Sequence, residues 1–216
     1  MRNTHEDKMM QIHLIRHGKT TANEQKMYCG ATDLPLSDNG IAELKELKQQ
    51  GIYPKSTDLY FTSGLMRTEQ TLGLLYGSVR REALPQLAEF NFGDFEMKNY
   101  EMLKEQADYQ KWITDEEGRV FCPNGDSGQS FARRVIDGYN QLITSTQSKS
   151  ALAVVHGGVI ACIMEHLFPN TRNFYEWQPK PGRGYTLTYT ANGLKLYQTI
   201  QEGGFLKCPK RKESPC

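Results

Sequence analysis

A chain of 216 residues, 38% hydrophobic and 24% charged, carries enough apolar side chain for one folded domain with its own core. Its 26 basic and 25 acidic residues leave a formal charge of +1, so nothing draws the whole molecule to nucleic acid or an anionic membrane, and any anion recognition must be local. No stretch has the apolar length of a membrane span, the opening MRNTHEDKMMQ lacks a signal-peptide core, and Cys29, Cys122, Cys162, Cys208 and Cys216 form no CxxC pair, which together predict reduced thiols and a cytoplasmic location.

Met10–Ile15 alternates and is rich in branched residues, so a strand is expected, running into Arg16-His17-Gly18 with Thr20 as the cap of a short helix. Ser37-Asp-Asn-Gly40 opens a helix with Ile41, Leu44 and Leu47 at helical spacing, stopped by Gly51. A second strand is predicted over 58–63 and a helix over 64–76. Loop and short strand follow over 84–94. Residues 98–116 are expected to be helical, with Tyr100, Leu103 and Trp112 as packing residues.

An amphipathic helix is predicted over 131–143, with Arg133 and Arg134 on its solvated face. The apolar run 150–155 suits a strand buried on both faces; it ends in His156-Gly-Gly158, and a helix follows to Phe168. Strands over 185–190 and 194–200 are joined by the hairpin signal Asn192-Gly193. His13 alternates within the first strand and reads as structural. No His or Cys pair has ligand spacing, so no metal and no cofactor are expected.

Strands alternating with helices predict an α/β fold, a three-layer α/β/α sandwich on a mostly parallel sheet. A single domain is expected over 9–203, with a small helical cap inserted at about 94–127 and flexible termini over 1–8 and 204–216. In such sheets ligands gather beyond the carboxyl ends of the strands, where both Arg16-His17 and His156-Gly157 are placed.

Phosphoryl transfer without a metal needs fixed cationic and N–H donors for the non-bridging oxygens, a nucleophile in line with phosphorus, and an acid for the leaving oxygen. Arg16, His17, Arg67, His156 and Glu89 make such a set. Leu14-Ile-Arg-His-Gly-Lys-Thr20 resembles the LIRHGET signature of the histidine phosphatases, the superfamily that also holds the cofactor-dependent phosphoglycerate mutases. Asn23, the block Gly30-Ala-Thr-Asp-Leu-Pro-Leu-Ser37, Ser63-Gly-Leu-Met-Arg-Thr-Glu-Gln-Thr71, Leu87-Ala-Glu-Phe-Asn-Phe-Gly93 and Val154-Val-His-Gly-Gly158 follow in the family's order.

The resemblance implies that His17 is the nucleophile and becomes a phosphohistidine. It implies that Arg16, Arg67 and His156 hold the phosphate with Asn23, Gly30, Thr32 and Gly157, and that Glu89 is the acid and then the base. Lys19 stands where the family usually has Glu. Phe92-Gly-Asp-Phe-Glu-Met-Lys98, Pro123-Asn-Gly-Asp-Ser127 and Phe131-Ala-Arg-Arg-Val135 look like the α-ribazole phosphatase branch, which implies α-ribazole 5′-phosphate in cobalamin biosynthesis as substrate. The alternatives are a broad-specificity sugar-phosphate phosphatase, a phosphoglycerate mutase, and a non-catalytic binding protein on the same fold. The expected partner is a small-molecule phosphate ester; no nucleic acid and no membrane are expected, and a homodimer is the one assembly left open.

Overall fold

The computed structural model describes residues 9–147, 149–190 and 193–200. In chain order the elements are β1 (Met10–Arg16), α1 (Thr21–Glu24), α2 (Asp38–Gln49), β2 (Leu59–Thr62), α3 (Met66–Tyr76), β3 (Glu82–Ala83), α4 (Tyr100–Leu103) and α5 (Ala107–Ile113). They continue with α6 (Gly128–Thr146), β4 (Ser150–Val155), α7 (Gly157–Leu167), α8 (Phe174–Trp177), β5 (Gly184–Thr190) and β6 (Gly193–Ile200).

These strands form one sheet in the order β3-β2-β4-β1-β5-β6. The pairs from β3 across to β1 are parallel, whereas β5 and β6 add as an antiparallel hairpin on β1. Side-chain alternation on β4 assigns the layers. Ala151, Ala153 and Val155 pack with α6 and α7 residues such as Val135, Leu142 and Ile160, while Leu152 and Val154 pack with Leu44, Leu72 and Leu75 of α2 and α3. The result is the expected three-layer α/β/α sandwich, with β4 buried on both faces as a continuous apolar run requires.

Two short helices replace the one expected over 98–116. Leu103 and Tyr109 are both fully buried against Phe95 and Cys122. Six residues apart, they would lie on different faces of one helix with 3.6 residues per turn, so the chain breaks between them to bury both. Tyr100, expected to pack, is 53% exposed, whereas Leu103 and Trp112 join the cluster. The helix α6 begins earlier than its apolar pattern suggested, because Ser127 and Ser130 cap each other's backbone N–H. The termini expected to be flexible, Asn192, Cys208 and Cys216 lie outside the described residues.

Candidate active site

The sheet alone brings the two distant histidines together. Strands β1 and β4 are parallel neighbours with Arg16 opposite Val155, so the chain leaves both at the same end of the sheet. The His17 N–H donates to the Val155 carbonyl at 3.0 Å, and the His17 and His156 ring centroids stand 5.1 Å apart. Next along the sheet, β2 places Thr62 beside Val154, and Ser63 just beyond it reaches His156 Nε2 at 2.8 Å. The first turn of α3 then delivers Arg67 into the same space.

His17 is buried, and its Nδ1 lies 2.6 Å from the Gly18 carbonyl. A carbonyl can only accept, so Nδ1 carries the proton and Nε2 keeps its lone pair. Burial first, then the charges of Arg67 and Arg16, hold the ring's ionisation well below the usual histidine range, against a smaller opposing pull from the Gly18 hydrogen bond. The site therefore presents a neutral imidazole nitrogen beside two cations.

His156 has the complementary tautomer. Arg67 Nε donates to its Nδ1 at 3.4 Å, so Nε2 is the protonated nitrogen and donates to Ser63 Oγ. Burial, then His17, Arg67 and Arg16, keep this ring neutral as well. Arg67 is 1% exposed and donates Nη2 to the Gly30 carbonyl at 2.7 Å and Nη1 to the Thr32 carbonyl at 2.9 Å.

Arg16 donates Nη1 to the Pro179 carbonyl at 2.9 Å, while its Nε is buried without a partner. Burial lowers its ionisation, and Glu89 partly offsets this. Among the described residues neither arginine forms a salt bridge. A buried guanidinium on Arg67 and a partly buried one on Arg16, neither in a salt bridge, leave a strong electrostatic demand for an anion.

Glu89 faces this pair from the amino end of α7. Its Oε2 accepts the Gly158 N–H at 3.0 Å and its Oε1 the Phe90 N–H at 3.0 Å. The glycines of α7 make room on both sides. A β-carbon on Gly158 would sit 2.5 Å from Glu89 Oε1, and one on Gly157 would sit 3.0 Å from Arg16 Cζ. The start of an 11-residue helix adds the positive end of its dipole to the same space.

The other expected site residues occupy distinct positions. Asn23 caps α1: its Oδ1 accepts from the Thr20 N–H at 3.0 Å and the Thr20 hydroxyl at 3.1 Å, so only its amide nitrogen is left to meet a ligand. Gly30 and Thr32 reach Arg67 through their carbonyls, while their N–H groups are taken by the Glu96 carboxylate. Lys19 pairs with Glu43 on α2 at 2.5 Å. His13 is structural, its Nδ1 2.8 Å from Thr186 Oγ1.

Sequence reasoning missed three residues and misread one of them. Arg134, expected on a solvated face, instead donates to the carbonyls of Gln86, Ala88 and Glu89 and pairs with Asp126 at 2.9 Å. Only the folded chain brings the carbonyls around Glu89 to it. Glu96 and Ser63 lay within recognised segments, with nothing in their spacing to single them out.

The family model of the histidine phosphatase superfamily (branch 1) matches residues 12–199. The adenosylcobalamin/alpha-ribazole phosphatase of Salmonella typhimurium is 33% identical over 162 residues, covering 73% of this chain and 79% of that protein. The Escherichia coli protein of the same name is 31% identical over an equal span, again covering 73% and 79%. Among solved structures, the alpha-ribazole phosphatase of Shigella flexneri superposes with a TM-score of 0.78 at 25% identity, covering 93% of this chain and 100% of that one. A phosphoglycerate mutase from Thermus thermophilus gives 0.62 at 27% identity, covering 88% of this chain and 97% of that one.

Proposed function

The chain belongs to the histidine phosphatase superfamily and is a phosphatase, and from that premise we propose that it hydrolyses a small phosphomonoester through a phosphohistidine on His17, with alpha-ribazole 5′-phosphate as the best single candidate substrate. One observation carries the reading: His17 is buried with Nε2 unprotonated, flanked by the buried Arg67 and the partly buried Arg16, neither of which has a salt-bridge partner among the described residues. The unit proposed to do this is the single domain that the sequence places over residues 9–203, with a cap at about 94–127; residues 201–203 lie outside the described residues.

Arg16 and Arg67 take the non-bridging oxygens, with the Gly157 N–H, the Asn23 amide nitrogen and His156 assisting. His17 Nε2 attacks phosphorus as the P–O ester bond breaks, and Glu89 gives its proton to the departing alkoxide. Water then attacks the phosphohistidine, Glu89 takes its proton, and orthophosphate leaves with the Nε2 lone pair restored. His156 begins neutral, with Nδ1 unprotonated. A phosphate dianion beside it favours the charged ring, so Nδ1 gains a proton, gives up the hydrogen bond from Arg67 Nε and becomes a further donor to the phosphate.

The substrate class rests on the relatives' names and on the aromatic cluster adjoining the site. Tyr28 precedes the Gly30 loop, Phe90 follows Glu89, and these rings contact Phe92 and Trp112 at centroid distances of 4.9 to 5.9 Å. Such a wall suits a leaving group with a planar ring. Phosphate release from alpha-ribazole 5′-phosphate, beside sugar phosphates and 3-phosphoglycerate in excess EDTA, tests this with His17→Ala as control. Strong preference for the ribazole ester, lost in the variant, supports the full assignment. Broad weak hydrolysis lost in the variant keeps the mechanism and removes that substrate, and stimulation by 2,3-bisphosphoglycerate points to a mutase instead.

A further inference from the structure

We infer that Glu96 is a positioning residue for Arg67, supplying the counter-charge of the phosphate-holding guanidinium through one intervening peptide group; this rests on the phosphatase reading of the site. The Glu96 carboxylate accepts backbone N–H groups from Gly30, Ala31 and Phe92 at 3.0 Å and from Thr32 at 3.2 Å. Successive N–H groups converging on a carboxylate form an anion-binding nest.

The peptide joining Gly30 to Ala31 has a partner at each end. Its N–H donates to Glu96 at 3.0 Å, and its carbonyl accepts Arg67 Nη2 at 2.7 Å. A peptide held between an anion and a cation is polarised by both, so the two hydrogen bonds strengthen each other. Thr32 repeats the pattern across one residue, its N–H on Glu96 and its carbonyl on Arg67 Nη1.

This layout answers a problem specific to the site. A carboxylate placed directly on Arg67 would occupy the edge of the guanidinium that a phosphate must use. Moving the negative charge one peptide away offsets the cost of burying Arg67 and leaves its remaining donors, and the Arg67 Nε that now touches His156, facing the site.

Several features hold the relay in place. A β-carbon on Gly30 would fall 1.6 Å from the Phe90 carbonyl oxygen, so the loop lies flat on the segment after Glu89. Asp33 Oδ1 accepts the Met66 N–H at 2.7 Å, fixing the far end of the loop to the start of α3. Met97, directly after Glu96, is left-handed with φ of 57° and donates its N–H to the Tyr28 carbonyl at 2.8 Å. A non-glycine residue held in that conformation indicates that the surroundings over-determine the turn.

The test measures inorganic phosphate binding by calorimetry, which needs no turnover, for wild type, Glu96→Gln, Glu96→Asp, Arg67→Ala and the Arg67→Ala/Glu96→Gln double variant. Hydrolysis of p-nitrophenyl phosphate and thermal unfolding are followed alongside. Glu96→Gln is expected to weaken phosphate binding about tenfold by loosening charge-assisted bonds to the loop, and Glu96→Asp, which keeps the charge, to recover part of that. In the Arg67→Ala background, Glu96→Gln should cost less than about twofold, because its effect runs through Arg67.

An undiminished affinity in Glu96→Gln, or an equal loss with and without Arg67, overturns the inference while leaving the phosphatase reading intact. Wild-type protein that binds phosphate with the expected coupling but turns over no phosphomonoester overturns the phosphatase reading alone. Wild-type protein that binds no phosphate overturns both.

Discussion

The imidazole rings of His17 and His156 cross at 66° with their centroids 5.1 Å apart, His17 held through Nδ1 by the Gly18 carbonyl, His156 through both nitrogens by Arg67 and Ser63, and neither by a carboxylate. Two protonated rings at that distance would repel, and burial with Arg16 and Arg67 keeps both neutral in the free protein. An arriving phosphate dianion offsets the charges of Arg16 and Arg67 and should draw a proton onto His156.

Phosphate binding near neutral pH is therefore expected to take up protons. Calorimetric titration with inorganic phosphate in buffers of different ionisation enthalpy measures the number directly. Uptake beyond that of phosphate's own ionisation should be lost in His156→Asn, and equal uptake in that variant would place the proton elsewhere.

Arg67 lowers the ionisation of His17, second only to burial. Removing that charge raises the pKa, so Arg67→Ala should bring His17 protonation closer to the usual histidine range. NMR titration of the His17 ring resonance is the check. An unshifted or lowered value would mean that the Arg67 charge does not govern the nucleophile.

His13 makes a separable prediction about stability. Burial lowers its ionisation from 6.5 to about 4 in the folded chain. Below about pH 6.5 the unfolded chain binds a proton that the folded one refuses, so stability falls as pH drops from 6.5 toward 4 and levels off below that. The shift corresponds to about 3 kcal/mol from this residue, and His17 and His156 act in the same direction. Urea unfolding at several pH values should show a shallower acid loss in His13→Gln than in wild type; an identical slope would remove His13 from the account.

Arg134 binds three carbonyls around the acid segment, including that of Glu89 itself. In Arg134→Met these carbonyls lose a charged donor and Asp126 loses its ion pair. We expect kcat to fall by about tenfold with a smaller change in KM, in line with about 1.4 kcal/mol for losing charge-assisted hydrogen bonds at partly buried groups. A fall in thermal stability with unchanged kcat would make the clamp purely structural.

Gly158→Ala introduces a methyl group 2.5 Å from Glu89 Oε1. The carboxylate must move away from the start of α7, so turnover of esters with poor leaving groups should drop more than that of p-nitrophenyl phosphate, whose leaving oxygen needs little acid help. Equal losses on both substrates would dissociate Glu89 from protonation of the leaving group.

Legibility in the sequence followed the range of each interaction. The runs over 10–16 and 150–155 announce strands through local side-chain pattern, and their ends fix where His17 and His156 emerge once the strands pair. Arg67 was marked by the motif over 63–71, not by its place on a helix, where an arginine is ordinarily a solvated residue. Contacts between segments were not visible. Leu103 and Tyr109 break a helix that periodicity would continue, because both must reach one cluster. Arg134 and Glu96 act on backbone groups far along the chain, and backbone N–H and C=O groups carry no residue identity for a pattern to reveal. Gly30 and Thr32 were placed at the site by motif, yet the side of each peptide that does the holding is set by Glu96.

The most direct test of the central claim is to trap the covalent intermediate. Protein mixed with a phosphomonoester in excess EDTA, quenched in alkali and digested, should yield one peptide heavier by a phosphoryl group, with the modification on His17, stable in base and lost in acid. With p-nitrophenyl phosphate, whose leaving oxygen needs little acid help, Glu89→Gln should accumulate it, and His17→Ala should abolish it. Turnover without any labelled His17, or labelling that survives His17→Ala, would contradict the assignment of His17 as nucleophile.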